Sequence, residues 1–124
     1  SSVVSLWTKI PKSGKYVCIC SSLKDALCLW CNTGIPSIAI QGEGYKMSQT
    51  AINELKSRCE KVFICLDNDK PGLEDSEKLA ESTGFINIIL PQFEGGKDIS
   101  DFFYSNHDKF NRVILDLIKE KISE

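Results

Sequence analysis

The chain has 124 residues, a formal net charge of -2, 42% hydrophobic and 26% charged residues. That length suffices for one domain with a real core, and the composition is ordinary for a soluble globular protein. So small a charge provides no strong field to attract nucleic acid, which leaves local patches or another part of a larger protein for that role; no apolar run approaches the ~20 residues that cross a bilayer.

Val3 to Ile10 is β-branched and aromatic and fits an N-terminal edge strand, closed by the turn Pro11-Lys12-Ser13-Gly14. Tyr16 to Cys20 is a short apolar run that reads as a buried strand. Ser21 and Ser22 are both helix-capping residue types, and Asp25 then falls in the first turn. Leu23, Ala26, Leu27 and Trp30 give that helix an apolar face, and Thr33-Gly34 followed by Pro36 ends it. Ser37 to Ile40 is the next strand, followed by the Gly-rich loop Gln41-Gly42-Glu43-Gly44. A helix starts near Ser48 and runs to about Cys59, with Ile52 and Leu55 inward. Lys61 to Leu66 is a further strand, and Leu73 to Thr83 a helix with Leu73, Leu79 and Ala80 inward, stopped by Gly84. Asn87 to Leu90 is the last strand of the series, ended by Pro91. Ile99 to Tyr104 is a short helix, and Lys109 to Lys121 is amphipathic, with Phe110, Val113, Ile114, Leu117 and Ile118 on one side.

Strands alternating with helices at short intervals imply a parallel sheet with helices on its faces. Right-handed crossovers then place the strand C-termini along one edge, the edge where open α/β sheets bind ligands. Six cysteines invite a metal or disulfide reading. Cys28 and Cys31 form the only Cys-x-x-Cys pair, and His107, the only histidine, is far along the chain. Thiols acting as small hydrophobes in a reducing cytosol are therefore expected.

Four acidic pieces converge on the sheet edge: Asp25, Glu43, the pair Asp67 and Asp69, and Lys97-Asp98 with Asp101 beyond. Carboxylates so close repel one another unless a cation sits between them. Oxygen-only ligands suit Mg²⁺, which takes one or two carboxylates together with water and substrate phosphates. Each piece also has a plainer explanation: a first-turn acid such as Asp25 is favoured by the helix dipole, and Asp98 suits the N-cap of the Ile99 helix. Joint occurrence at successive strand ends favours a shared metal site of the kind that serves phosphoryl transfer. Lys97 and Lys24 could meet a phosphate as point charges.

Leu66-Asp67-Asn68-Asp69-Lys70-Pro71-Gly72 resembles the Asp-x-Asp-x-x-Gly signature of Toprim domains, which occur in DNA primases, topoisomerases, recombination mediators and some nucleases. Lys97-Asp98-Ile99-Ser100-Asp101-Phe102 resembles the Lys-Asp-Pro-Asp-Glu-Phe element of the bacterial and phage primase branch, and Lys24-Asp25-Ala26-Leu27 resembles the end of the first Toprim motif. The resemblance covers about Tyr16 to Phe102. It implies an α/β Toprim, Rossmann-like fold, with a four-stranded parallel sheet flanked by helices. It further implies primer synthesis on single-stranded DNA from nucleoside triphosphates, with Mg²⁺ or Mn²⁺ as cofactor, a replicative helicase among the partners, no membrane, and a cytoplasmic setting (the bacterial host's if phage-encoded).

Carried over residue by residue, the metal would be held by Asp67, Asp69, Asp98 and Glu43. The catalytic groups would be Glu43, Asp25 and Lys97, and the phosphate contacts Lys24, Lys70 and Lys97. Two departures stand out: the first motif's Glu is Ser21 here, and Ser100 replaces the second Asp of the primase element. Glu43, after the neighbouring strand, is the candidate replacement for the missing Glu. A Toprim nuclease and a catalytically degenerate docking module are the alternatives; a flavodoxin-like nucleotide binder lacks a Gly-rich loop after its first parallel strand. The chain opens on Ser1-Ser2 without Met and carries neither the basic template-binding subdomain nor the zinc module of primases, so a single Toprim-like domain cut from a longer primase or primase-helicase is expected.

Overall fold

The computed structural model describes residues 3–5, 14–41 and 46–123. Five strands form one sheet: β1 (Val3–Ser5), β2 (Gly14–Cys20), β3 (Ser37–Gln41), β4 (Cys59–Cys65) and β5 (Ile86–Asn87). Their spatial order is β1-β3-β2-β4-β5. β1 is an antiparallel edge strand, with Val4 opposite Ile40. The other four run parallel, as the alternation of strands and helices implied.

The central strands are buried on both faces because their side chains alternate between two apolar layers. Val17, Ile19, Ile38, Ile40, Val62 and Ile64 point to the face covered by α2 (Gln49–Arg58) and α3 (Lys70–Thr83), where Ile52, Leu55 and Leu79 meet them. Cys18, Cys20, Ala39, Phe63 and Cys65 point the other way. There they meet α1 (Leu23–Thr33), α4 (Ile99–Ser105) and α5 (Phe110–Ile122) through Ala26, Leu29, Phe102, Phe110, Ile114 and Ile118. The apolar side of the last helix therefore closes this domain's own core.

Helix boundaries follow local chemistry. Ser22 and Ser48 cap α1 and α2, and Asp69 caps α3 with Pro71 in the first turn. Gly34 and Gly84 stop α1 and α3 with φ of 79° each, the left-handed C-cap for which glycine has no steric penalty.

Four expectations need correction. The buried face of α1 carries Asp25, Ala26 and Leu29, whereas Leu23 and Leu27 are 39% and 44% exposed. A pattern of apolar residues could not reveal that a carboxylate shares the inward face. β4 begins at Cys59 and not at Lys61, because Cys59, which is also the C-cap of α2, pairs with Gly14 across the ladder. β5 ends at Asn87, short of Leu90. Ile88 N–H still reaches Ile64 O at 2.7 Å, but Ile89 turns to solvent and the Leu90 and Pro91 carbonyls accept from the Asn68 side chain. Buried thiols hold for Cys18, Cys20, Cys59 and Cys65, while Cys28 is half-buried and Cys31 exposed; all six are free.

Candidate functional site

Neighbouring strands β2 and β4 send their following helices to opposite faces of the sheet, α1 to one and α3 to the other. That divergence makes a crevice at the carboxyl ends of the two strands, the position where doubly wound sheets bind ligands. Ser21 follows β2 there, and Asp67 to Asp69 follow β4. The Asp67 N–H donates to Ser21 Oγ at 3.2 Å, which ties the two strand ends together.

The loop after β5 is pinned to the same place by Asn68, which is 3% exposed. Its side-chain amide donates to Pro91 O at 2.9 Å, its own N–H donates to Lys97 O at 2.8 Å, and its carbonyl accepts from Gln92 Nε2 at 2.8 Å. The residue between the two acids thus brings in the segment that carries Lys97 and Asp98. Two glycines permit the close fit. A Cβ on Gly72 would overlap the backbone of Asp67, and one on Gly96 would overlap the side chain of Asp101.

Asp25, Asp67 and Asp98 meet in this crevice, with one carboxylate oxygen of each within 4.8 Å of the others. Asp25 sits in the first turn of α1, is 2% exposed, and comes from below the crevice. Its Oδ1 accepts from the Ser100 N–H at 3.0 Å and from the Ser100 hydroxyl at 2.8 Å. Asp98 is at once the N-cap of α4, accepting from Asp101 N–H at 2.7 Å, and a member of the acidic group. The Asp101 carboxylate completes a capping box by accepting from the Lys97 and Asp98 amides.

Asp69 lies outside the three-carboxylate group. It caps α3 by accepting from Gly72 N–H at 2.9 Å, and its other oxygen pairs with Lys97 Nζ at 3.3 Å. Lys24 Nζ stands 4.0 Å from Asp98 Oδ2, and Lys70 is exposed in the first turn of α3. Glu43 lies outside the described residues. Beside the triad, Ser21, Asp67, Asp69, Asp75 and Lys97 line a polar depression of about 240 Å³.

The electrostatics report crowding. Burial raises the Asp67 carboxyl above its ordinary range, with the charges of Asp25, Asp98 and Asp69 adding to the effect and the Ser21 hydroxyl opposing it. Burial likewise raises Asp98, reinforced by Asp25 and Asp101 and countered by the Asp101 amide and Lys24. The hydrogen bond and ion pair with Asp69 push Lys97 up. The Lys97 amide holds Asp101 below the usual carboxylate range. Like charges that raise one another's pKa in a half-buried crevice leave a place for a cation. The donor set is all oxygen, so it fits a hard divalent ion such as Mg²⁺.

Ser100, Asn68 and Asp75 were not singled out as functional by sequence reasoning. Ser100 carried a signal, as a departure from the primase element, and Asn68 another, as the residue between two strand-end acids. Asp75 carried none.

The family model described as Toprim-like matches residues 18–103, and the chain belongs to that family. The crystal structure of the primase fragment of the bacteriophage T7 primase-helicase superposes with a TM-score of 0.65 at 17% identity, covering 88% of this chain and 45% of that one. The primase domains of the T7 protein, in a complex of lagging-strand DNA polymerase with an RNA/DNA hybrid and dTTP, give 0.59 at 17% identity, covering 86% of this chain and 55% of that one. At that identity the likeness establishes the fold: a Toprim domain resembling those of phage primases. An uncharacterized protein of Mycoplasma genitalium, MG010, is 31% identical over 75 residues, 57% of this chain and 34% of that protein. The chain thus spans about a third to a half of the proteins it matches.

Proposed function

We propose that this chain is the metal-binding Toprim domain of a DNA primase, one domain of a longer primase or primase-helicase, serving the synthesis of RNA primers on single-stranded DNA. The observation that carries the reading is the meeting of Asp25, Asp67 and Asp98 at the crevice between β2 and β4. These three carboxylates would hold Mg²⁺ or Mn²⁺. A divalent ion held there would supply charge stabilisation to phosphoryl transfer.

The remaining residues have roles set by their positions. Asp69 anchors the N-terminus of α3 and holds the Lys97 ammonium at the rim of the depression. A nucleotide phosphate entering there would compete with Asp69 for Lys97, which then acts as a mobile point charge. Lys24 offsets the charge of Asp98, and Lys70, exposed in the first turn of α3, would be a further phosphate contact. Ser21 offers a hydroxyl where the family pattern has Glu, so Glu43 is the acid left to take up proton transfer. Template, nucleoside triphosphates and a replicative helicase would be engaged through the parent protein.

The test is calorimetric titration of the chain with Mg²⁺, paired with primer synthesis by the full-length gene product. Saturable Mg²⁺ binding that Asp67→Asn abolishes, with loss of primer synthesis in the same variant, is the expected result. Metal-dependent nicking of supercoiled DNA without nucleotides would replace the primase reading by a nuclease. Absence of divalent binding would leave a docking module.

A further inference from the structure

We infer that Ser100 is a positioning residue that aims Asp25 into the metal site, an inference that rests on the metal-binding reading above. Asp25 is the least exposed of the three carboxylates, and it reaches the crevice from the buried face of α1. A polar group so enclosed needs hydrogen-bond partners. The donors recorded for its carboxylate both come from Ser100, 75 residues away in sequence, at 3.0 Å from the N–H and 2.8 Å from the hydroxyl. Both bonds fall on Oδ1, which anchors the orientation of the carboxylate that joins the acidic group.

The chemistry of position 100 gives the inference its content. An acidic side chain at position 100 would set a carboxylate against that of Asp25. A hydroxyl turns that contact from repulsion into donation. Ser100 in turn is held by α4, whose N-cap is Asp98, another member of the triad. One helical turn therefore presents a ligand and, two residues later, the donor that orients a second ligand. Groups that orient a metal's ligands typically change its affinity about 10–100-fold when removed.

Mn²⁺ affinity of the chain, read by electron paramagnetic resonance, tests this together with thermal unfolding without metal. Ser100→Ala is expected to weaken Mn²⁺ binding on the order of 10-fold, and Ser100→Thr, which keeps the hydroxyl, to restore it. Wild-type affinity in Ser100→Ala overturns the inference and leaves the metal-binding reading intact. Equal weakening in Ser100→Thr and Ser100→Ala also overturns it, since the hydroxyl would then not be the cause. No Mn²⁺ binding by the wild-type chain overturns the metal-binding reading and this inference together. Should Ser100→Ala fail to fold, Ser100→Cys supplies a weaker donor of similar size; weakened binding there supports the inference and unchanged binding defeats it.

Discussion

Asp67 carries a charge that the folded chain tolerates poorly in the absence of a cation. Its folded pKa is raised by burial and by neighbouring carboxylates, as is that of Asp98. The folded state therefore binds these protons more tightly than the unfolded state, so both groups subtract stability above their folded pKa values, and the penalty fades as pH falls through them. Two outcomes are expected. Asp67→Asn, nearly isosteric, should raise the melting temperature in metal-free buffer and abolish the further rise that Mg²⁺ gives the wild type. That Mg²⁺-dependent rise should shrink as pH falls from neutral into the raised carboxylate range. Asp101, whose pKa is lowered, acts with the opposite sign, its contribution being lost only at still lower pH. Gly72→Ala should cost roughly 1–3 kcal/mol in denaturant unfolding, the usual range for overpacking, because the new Cβ meets the Asp67 backbone. Asp67 and Asp98 were legible as acids at strand ends. The partnership of Asp25 with Ser100 was not, because nothing local signals a contact across 75 residues.

Two helices of the site, α3 and α4, begin on a residue that also serves the crevice. Asp69 caps α3 and holds Lys97; Asp98 caps α4 and joins the triad. The two roles separate by substitution. Asp69→Asn keeps a capping oxygen and should leave stability nearly unchanged, whereas Asp69→Ala should cost about 1 kcal/mol, as measured by urea unfolding. Local chemistry made these elements readable, since capping residues, Pro71 and the terminal glycines act within one turn. β5 was misplaced because a two-residue strand is defined by its partner, Phe63 to Ile64 of β4, and by where Asn68 pulls the chain away. The start of β4 was misplaced for a similar reason: Cys59 joins the strand by its pairing with Gly14, 45 positions earlier.

At the scale of the molecule, the sheet order puts β2 beside β4 and so creates the crevice. That order follows from no spacing in the sequence, whereas the parallel α/β class was legible from the alternation of elements. The whole arrangement rests on α5, whose Phe110, Ile114 and Ile118 close one apolar layer. Phe110 is 1% exposed and packs edge-on to Phe103, so Phe110→Ala should cost about 3–5 kcal/mol. Among the described residues no helix is long and apolar enough to cross a membrane.

The central claim is that Asp25, Asp67 and Asp98 together hold a divalent cation. Crystals of the chain soaked in Mn²⁺ and measured at the manganese absorption edge test it most directly. The account expects an anomalous peak bound by all three carboxylates, lost in Asp67→Asn. A peak placed only on Asp69 and Asp75, or none at saturating Mn²⁺, would contradict it.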